Sequence, residues 1–319
     1  MITIVDDGRF LLIPEGMVVP QNIPEDVTVL QQPLDKTYLV STSVMDLVRQ
    51  IDAMSDIRLS GTKEDGWYVE EAREAMEEGD ILYAGKYSAP DYELILDEGC
   101  NLAIENTMIY HNPEVKEKLE ELGIPVLVER SSYESHPLGR LEWIRLYGVL
   151  FDKEEEADSF YEAELEKLEP IMKKESCNVT VAFFSVTANG TISVRKSNDY
   201  VAQMIALSGG TYVPEQLASE EENALSTMNI QMEDFYADAK NADILIYNST
   251  IEGEISTLEE LKQKNALFAD FQAVQDGNVY CTTNNFFQKS TAIGDFMEDL
   301  NKIFQNTDTE EAGYLKKLR

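Results

Sequence analysis

The chain has 319 residues, and its 60 Asp and Glu against 26 Lys and Arg give a formal net charge of -34. So acidic a surface lacks the basic patch that binding to nucleic acid or to anionic lipid headgroups requires. The length predicts about two domains. No apolar stretch approaches the roughly 18 residues that a membrane-spanning helix needs.

Cysteine and motif patterns exclude several kinds of site. Cys100, Cys177 and Cys281 are widely spaced, so the chain has no CxxC motif and no disulfide framework. It also has no GxGxxG, no GxxxxGK[ST] phosphate loop and no GxSxG nucleophile elbow. With only His111 and His136 as histidines, a dedicated zinc site is short of its usual ligands. Nothing therefore supports an enzyme, and no intrinsic cofactor is expected.

The first part of the chain predicts short strands that alternate with amphipathic helices. An opening hairpin joins Ile2–Val5 to Phe10–Ile13 through Asp6-Asp7-Gly8. Further strands are predicted at Val27–Leu30, Leu82–Gly85, Leu102–Ile104 and Pro125–Val128. Helices are predicted at Ser43–Met54, from Pro90 past Leu96, and at Pro113–Leu122, where Gly123 is the expected stop. This alternation indicates a doubly wound parallel sheet.

A segment without strand signals, from Leu138 to about Lys174, predicts two helices, the second long and beginning near Asp152. Strands then resume at Val179–Val186, Thr191–Val194, Ile244–Tyr247 and, as the last strand, Val279–Thr282. Helices are predicted at Tyr200–Leu207, Gln231–Ala239 and, as the last helix, Ile293–Phe304. The predicted fold is therefore α/β, with two doubly wound lobes joined by a single long helix. Its parts are an amino-terminal lobe over 1–148, a connecting helix over 149–175 and a carboxy-terminal lobe over 176–319.

Six segments occur in a fixed order along the chain: the opening unit Val27–Met54, the stretch Asp91–Ile104, the "L-x-x-x-G-I-P-V" of Leu119–Leu127, the "x-L-G-x-L" match at Leu146–Leu150, the Gly-Gly segment Ala206–Val213, and Phe271–Tyr280, which matches "lpAVkxGxVy". Together they resemble the class III periplasmic-type binding proteins of ABC importers. The chain departs from the family at Cys100-Asn101, where Pro-Asp is usual, and at Asn241-Ala242-Asp243. Both departures fall in helix–strand turns.

The resemblance implies a transport role. Such proteins capture iron-siderophore, haem or cobalamin chelates in a cleft between the lobes, and they deliver them to the permease of an ABC importer. One glutamate on each lobe docks onto permease arginines, and the matching positions are Glu93 and Glu233, with Asp234 as a one-residue alternative to the second. A carboxylate–guanidinium pair suits docking because it is bidentate and fixes orientation. Two solvated carboxylates in first helical turns would look the same.

In open parallel sheets, ligands bind beyond the carboxyl ends of the strands. The loops expected there are rich in aromatic residues, which suit a large chelate with flat rings, and they carry basic residues that suit an anionic siderophore. The predicted ligand-binding residues are Trp67, Tyr68, Tyr87, Tyr110, His111, Tyr133, His136, Arg140, Arg195, Lys196, Tyr200, Phe286 and Phe287. Trp67 and Tyr68 lie in a Gly-flanked loop and are not expected in the core.

The ligand itself is left open. Ferric siderophore or another iron complex is the leading expectation, followed by haem and then cobalamin. No metal site formed by the protein alone is expected, although His111 or His136 is a candidate axial ligand for a chelated metal. The alternative is that both histidines are surface or helix-cap residues.

A monomeric, extracytoplasmic protein is implied, either lipid-anchored or periplasmic, with a leader and lipid-attachment cysteine that this sequence lacks. The alternative of another class is a cytoplasmic metallochaperone or enzyme on a related two-lobed fold. Composition does not choose between them.

Overall fold

The computed structural model describes residues 1–217, 227–305 and 313–319 and divides the chain into two compact units. Unit 1 comprises Met1–Ser132, Glu142–Tyr161 and Gln288–Thr291. Unit 2 comprises Tyr133–Leu141, Glu162–Phe287 and Ala292–Arg319. Among the described helices, none combines the length and apolar character needed to cross a bilayer.

Unit 1, all of whose residues are described, is built on a parallel sheet. Its strands are β1 (Ile2–Ile4), β2 (Gly8–Ile13), β3 (Val27–Gln31), β4 (Thr37–Leu39), β5 (Ile57–Ser60), β6 (Leu82–Tyr83), β7 (Gly85–Lys86), β8 (Ala89–Pro90), β9 (Leu102–Asn106) and β10 (Val126–Glu129). Its helices are α1 (Thr42–Gln50), α2 (Glu70–Glu78), α3 (Tyr92–Asp97) and α4 (Pro113–Glu121). The five strands in the order β10-β9-β4-β5-β6 are all parallel. A separate sheet contains β1, β2 and β3, and β7 pairs with β8.

One face of the five-stranded sheet packs against α3 and α4. Alternate strand residues such as Tyr38, Ala103 and Val126 meet Ile95 of α3 and Leu119 of α4 in one buried apolar cluster. The spacing of apolar residues in each helix produces this contact, because residues three or four apart share a helix face. Burial of that face, rather than helix propensity, supplies most of the stability of helices this short.

The opening hairpin covers the free edge of β10. The carboxylate of Asp7 is almost fully buried, and it accepts hydrogen bonds from the backbone N–H of Val128 at 3.2 Å and from Nζ of Lys116 at 2.8 Å. A buried backbone N–H on an edge strand needs such a partner, and a covered edge cannot pair with another chain. The hairpin therefore provides a side-chain partner, Asp7, for a backbone N–H on the edge of the five-stranded sheet.

Two helices are divided between the units. In α5 (Pro137–Phe151), the residues up to Leu141 belong to unit 2 and those from Glu142 belong to unit 1. The long helix α6 (Glu154–Met172) begins in unit 1 and continues in unit 2 from Glu162. The sequence predicted both helices, including the long one, with ends that differ by a few residues.

Unit 2 contains a mixed sheet. Its described strands are β11 (Thr180–Val186), β12 (Ile192–Arg195), β13 (Thr211–Val213), β14 (Thr227–Ile230), β15 (Ile244–Tyr247), β16 (Val279–Thr282) and β17 (Leu315–Lys317). Its further described helices are α7 (Tyr200–Leu207), α8 (Met232–Ala239), α9 (Leu258–Lys264), α10 (Gln272–Gln275) and α11 (Ile293–Phe304). Within the described residues, the strand order is β14-β12-β11-β15-β16-β17, and β13 also pairs with β11. β13, β15 and β16 run parallel to β11, while β12, β14 and β17 are antiparallel to their neighbours.

The α/β class with a parallel centre is confirmed, and two details of the prediction were wrong. The purely parallel sheet does not hold in unit 2, because β11 and β12 form a hairpin across the turn at Asn189-Gly190. Val279–Thr282 is not the last strand, since β17 follows it. The connection between β11 and β12 is only five residues long, 187–191, which allows antiparallel pairing, whereas a parallel partner requires a crossover of a dozen or more residues.

The edge contact of Asp7 yields a stability prediction. We expect Asp7→Ala to lower the free energy of unfolding by about 2–3 kcal/mol, because it leaves the Val128 N–H and Lys116 without their buried partner. Asp26→Ala is the matched control, since its ion pair with Arg9 is solvent-exposed and is expected to contribute less than about 1 kcal/mol. Urea unfolding measures both, and equal losses would contradict the edge role.

Candidate ligand-binding site

The antiparallel course of β12 places Arg195 on a face of the unit 2 sheet. Val194 pairs with Phe184, so the next residue, Arg195, lies level with Phe183 in the middle of β11. The sequence analysis placed Arg195 and Lys196 at the carboxyl edge of the sheet, and that placement was wrong because it assumed a parallel strand. By strand alternation Arg195 shares its face with Ser193, opposite the face of Val194.

Two arginines and two aromatic rings meet on this face. The Cζ atom of Arg140, from the part of α5 in unit 2, lies 4.1 Å from the centroid of the Tyr200 ring. Arg195 lies 5.7 Å from the same ring and 4.8 Å from the ring of Phe287. These are cation–π distances, at which the ring quadrupole attracts a guanidinium. The structure thus brings together four of the predicted ligand-binding residues.

Asp199 holds Arg195 in place. Its Oδ2 lies 3.6 Å from Nη1 of Arg195, and both side chains are almost fully buried. Its Oδ1 also accepts a hydrogen bond from Val201 N at 2.9 Å, which caps the amino end of α7. Burial raises the pKa of Asp199 above its usual value, although the neighbouring Arg195 charge opposes this. The described contacts thus join two guanidinium groups, two aromatic rings and the carboxylate of Asp199.

A cavity of about 270 Å³ adjoins the cluster. Its described lining is largely apolar with a few polar groups, and comprises Phe183, Ser193, Val194, Arg195, Thr227, Asn248, Thr250, Ile251 and Phe287. Asn248 follows β15 directly, and its side-chain carbonyl accepts a hydrogen bond from Thr250 Oγ1 at 2.8 Å. An apolar wall with a guanidinium at one side suits a ligand group that is both flat and anionic.

The remaining predicted residues of unit 2 lie in different environments. Phe286 is buried and packs between Phe183 and Phe296, with ring centroids 6.4 Å and 4.5 Å away. Tyr133 and Lys196 are partly buried. His136 is exposed, and its Nδ1 accepts a hydrogen bond from Leu138 N at the amino end of α5. The structure therefore gives His136 a capping contact.

In unit 1, the predicted aromatic residues do not form one surface. Trp67 is buried, and its indole N–H donates to Ser60 Oγ at 3.3 Å, so the expectation that it lies outside the core was wrong. A polar partner for the indole makes this burial possible. Tyr68 is half-exposed, and Tyr87 packs against the apolar cluster under the sheet. Tyr110 accepts a hydrogen bond from Arg130 Nη1 at 3.0 Å.

Metal-binding side chains are not clustered in the part of the chain that the structure describes. Across the described residues, no group of three or more His, Cys, Asp or Glu side chains is arranged to hold a metal ion. His111 is exposed at the end of the short 3-10 helix Thr107–His111, and the next residue, Asn112, is the N-cap of α4. An axial role for His111 or His136 toward a chelated metal stays a prediction.

The two predicted docking carboxylates are exposed. Glu93 lies in the first turn of α3, and Glu233 lies in the first turn of α8 beside Asp234, which is also exposed. Carboxylates in a first helical turn are favoured by the helix dipole, so their position alone is compatible with either role.

A sequence model of one protein family, described as periplasmic binding protein, matches residues 43–285. The chain belongs to the periplasmic binding protein family. Its matched part includes β5–β16, the residues Arg140, Arg195 and Tyr200, and all of the cavity lining except Phe287. The opening hairpin and β17 lie outside the match.

Relatives of this binding protein include archaeal lipoproteins. It is 25% identical over 291 residues to an uncharacterized lipoprotein, MJ0878, of Methanocaldococcus jannaschii, covering 88% of this chain and 68% of the relative. It is 28% identical over 223 residues to a second uncharacterized lipoprotein of that organism, MJ0872, covering 67% of this chain and 55% of the relative. The chain therefore spans little more than half of the second relative's length.

Solved structures share the fold of this binding protein at low identity. A periplasmic haem-binding protein from Pseudomonas aeruginosa has a TM-score of 0.67 and 13% identity, covering 89% of this chain and 98% of that one. An Fe³⁺-hydroxamate transport protein from Saccharomonospora viridis has a TM-score of 0.63 and 16% identity, covering 85% and 93%. The vitamin B12-binding protein BtuF of Vibrio cholerae has a TM-score of 0.60 and 12% identity, covering 87% and 98%.

Sequence reasoning missed part of the site of this binding protein. Ser193 and Phe183 line the cavity from inside strands, whereas the sequence analysis considered only loops beyond strand ends. Period-two alternation along β11 and β12 is the signal that could have found them. Thr227 begins a strand, β14, that the sequence analysis did not predict.

The double role of Asp199 yields a second stability prediction. We expect Asp199→Ala to lower the free energy of unfolding by about 2–3 kcal/mol, because it removes a helix cap and the carboxylate beside buried Arg195. Asp91→Ala is the matched control, since Asp91 caps α3 through Leu94 N at an exposed position and is expected to cost about 1 kcal/mol. Urea unfolding compares the two, and losses of the same size would show that the ion pair adds nothing.

Proposed function

We propose that this protein is the extracytoplasmic substrate-binding component of an ABC importer, and that it captures a metal chelate without chemical turnover. A ferric siderophore or other anionic iron complex is the leading ligand, ahead of haem and cobalamin. The observation that carries the proposal is the Arg140–Arg195 cluster over Tyr200 and Phe287, beside an open cavity. Family membership and the similar fold of chelate-binding proteins support it.

Charge favours an anionic ligand at this site. The chain carries a net charge of -34, so its average field repels anions. Cationic side chains are therefore needed where an anionic chelate is held, and Arg140 and Arg195 are cations brought close together at this site. Contact with aromatic rings, at 4.1 Å for Arg140 and 4.8 Å for Arg195, restricts both side chains before the ligand binds, which reduces the side-chain entropy lost on binding.

The cavity volume limits what enters it. At about 270 Å³, it is slightly smaller than the roughly 300–1,000 Å³ of pockets that hold a whole small molecule. We infer that it accepts one arm of the chelate, such as a catecholate or carboxylate-bearing group, while other parts of the ligand lie outside it. A monomeric protein held at the membrane by a lipid anchor fits this role, and the lipoprotein relatives support that location.

A ligand panel tests the proposal. Thermal unfolding is measured with ferric catecholate, ferric hydroxamate, haem and cobalamin, each at about 100 times its dissociation constant. A true ligand is expected to stabilise the fold by about 2.7 kcal/mol, a shift of at least a few °C. Arg140→Gln is expected to weaken binding of an anionic ligand roughly 10- to 100-fold, through loss of a charged hydrogen-bond donor.

Arg145→Gln is the matched control for that variant. Arg145 lies on the same helix and stacks on Tyr161 at 4.4 Å, but both residues belong to unit 1. We expect it to leave ligand affinity unchanged. A stabilising ligand whose affinity falls equally in both variants would refute the proposed site, and stabilisation by none of the four would count against chelate capture.

Delivery to the importer is tested separately. We expect Glu93→Arg and Glu233→Arg to reduce binding-protein-stimulated ATPase activity of the reconstituted importer at least about tenfold, because each replaces a docking charge with its opposite. Ligand affinity should stay the same. The matched control is Glu114→Arg, in the exposed first turn of α4. A comparable loss in the control would show a general charge effect and overturn the docking role.

A further inference from the structure

Glu105 is buried in unit 1 without a hydrogen-bond partner. Its side chain is fully inaccessible to solvent, and neither carboxyl oxygen has a partner among the described residues. Burial of a polar group without a hydrogen bond is unfavourable, and burial of an unpaired charge is far more so. Such an arrangement in a folded protein therefore calls for an explanation.

The surroundings of Glu105 are apolar. In β9 it pairs with Val128 of β10, and alternation places its side chain on the face of Ala103, beside the cluster that includes Ile109 and Val115. The elements packed around that cluster carry many titratable or charged groups: Arg58 on β5; Glu129 on β10; Glu93 and Asp97 on α3; Lys116, Glu117, Glu120 and Glu121 on α4; and also Tyr38 on β4, Tyr83 on β6, Tyr87 after β7, Tyr92 on α3, Cys100 before β9, Tyr110 and His111 on the short 3-10 helix, and Glu114 and Lys118 on α4. Of these, Tyr38 and Tyr92 interact electrostatically with Glu105.

The carboxyl group is uncharged in this environment at neutral pH. Burial raises the pKa of Glu105 to about 8, against about 4.3 for an exposed glutamate. Glu129 provides a contrast on the adjacent strand. It is also buried, but its oxygens accept hydrogen bonds from Ser131 N at 2.6 Å and Ser41 Oγ at 3.1 Å.

The chain beside Glu105 is the part of unit 1 that can respond to its ionisation. Glu105 precedes Asn106, and the residues Asn106–Asn112, here called the 106–112 segment, leave the sheet as a short 3-10 helix. Ile109 anchors the segment in the apolar cluster, whereas Met108 and Tyr110 are exposed. Displacing this one anchor would admit water to the carboxyl group without breaking the pairing of the sheet.

We propose that Glu105 is a proton-operated latch for the 106–112 segment. While the carboxyl group is protonated, the segment closes over it through Ile109. Ionisation transfers the proton to solvent and leaves a carboxylate that must be hydrated, so the segment opens. The latch goes beyond the proposed function and operates without a ligand.

The direction of the pH effect follows from linkage. Between pH 4.5 and about 8, the closed state binds one proton more than the open state, so closure weakens as the pH rises. Above the pKa of the closed state the two states bind protons equally, and the dependence ends. The equilibrium constant for opening should increase about tenfold from pH 6 to 7 and about fivefold from pH 7 to 8.

Hydrogen exchange of the whole protein without ligand tests the latch. Exchange rates are measured at pH 6, 7 and 8 and divided by the intrinsic rates, which gives the opening equilibrium of each peptide. In the wild type, peptides covering 106–112 should open about tenfold more at pH 7 than at pH 6 and about fivefold more at pH 8 than at pH 7, while peptides covering β15 in unit 2 should not. In Glu105→Gln, which cannot ionise, the dependence should disappear.

Matched variants make the outcome decisive. Glu129→Gln removes a buried but hydrogen-bonded carboxylate and should retain the wild-type pH dependence. If Glu105→Gln does not fold, Glu105→Met supplies an uncharged side chain of similar length for the same measurement. A pH-independent wild type, or a dependence that persists in the Glu105 variants, would overturn the proposal.

One consequence for ligand capture rests on the proposed function, because the 106–112 segment carries the predicted ligand-binding residues Tyr110 and His111. Affinity for the ligand should then fall between pH 6 and 8 in the wild type but not in Glu105→Gln. Failure of the exchange test refutes the latch alone. Exchange as expected with pH-independent affinity would instead show that the segment takes no part in ligand binding.

Discussion

Both long edges of β11 are occupied by other strands. β15 lies along one edge, while β13 and β12 share the other, the first beside Thr180–Ala182 and the second beside Phe184–Val186. Every backbone N–H and C=O group of a buried strand needs a hydrogen-bond partner. β13 pairs only with Thr180–Ala182, so β12 supplies the partners along the rest of that edge. This requirement turns the chain back at Asn189-Gly190 and directs β12 antiparallel. The position of Arg195, and with it the candidate site, depends on that reversal.

The candidate site brings cationic side chains together in a chain whose net charge is strongly negative. A protein with a net charge of -34 can hold an anion only where its own carboxylates are kept away or are outnumbered. On the face of β12, one carboxylate, Asp199, is committed to Arg195 and to the end of α7. Arg140 adds a second cation from a helix whose remaining residues belong to unit 1. Two cationic side chains and two aromatic rings are thus brought together within an acidic protein.

Three buried carboxyl groups in unit 1 show how burial and partners together decide charge. Asp7 is buried against a lysine and a backbone N–H, and Glu129 is buried among hydroxyl and backbone donors. Donors of this kind stabilise a carboxylate in the interior. Glu105 has no donors, so burial raises its pKa and favours the neutral acid. Hydrogen bonds hold the first two in the fold, whereas the third has none among the described residues.

The amino-acid sequence by itself determined the α/β class, the long helix α6 and the bounds of elements such as Tyr200–Leu207 and Ile244–Tyr247, because these depend on local periodicity and on helix stops. It also identified Arg140, Arg195, Tyr200 and Phe287 as ligand-binding candidates from residue type. Only the tertiary structure decided that β12 is antiparallel, that Trp67 is buried beside Ser60, and that Glu105 lacks a partner. Strand direction and side-chain partners depend on residues far apart in the chain, and no local pattern encodes them.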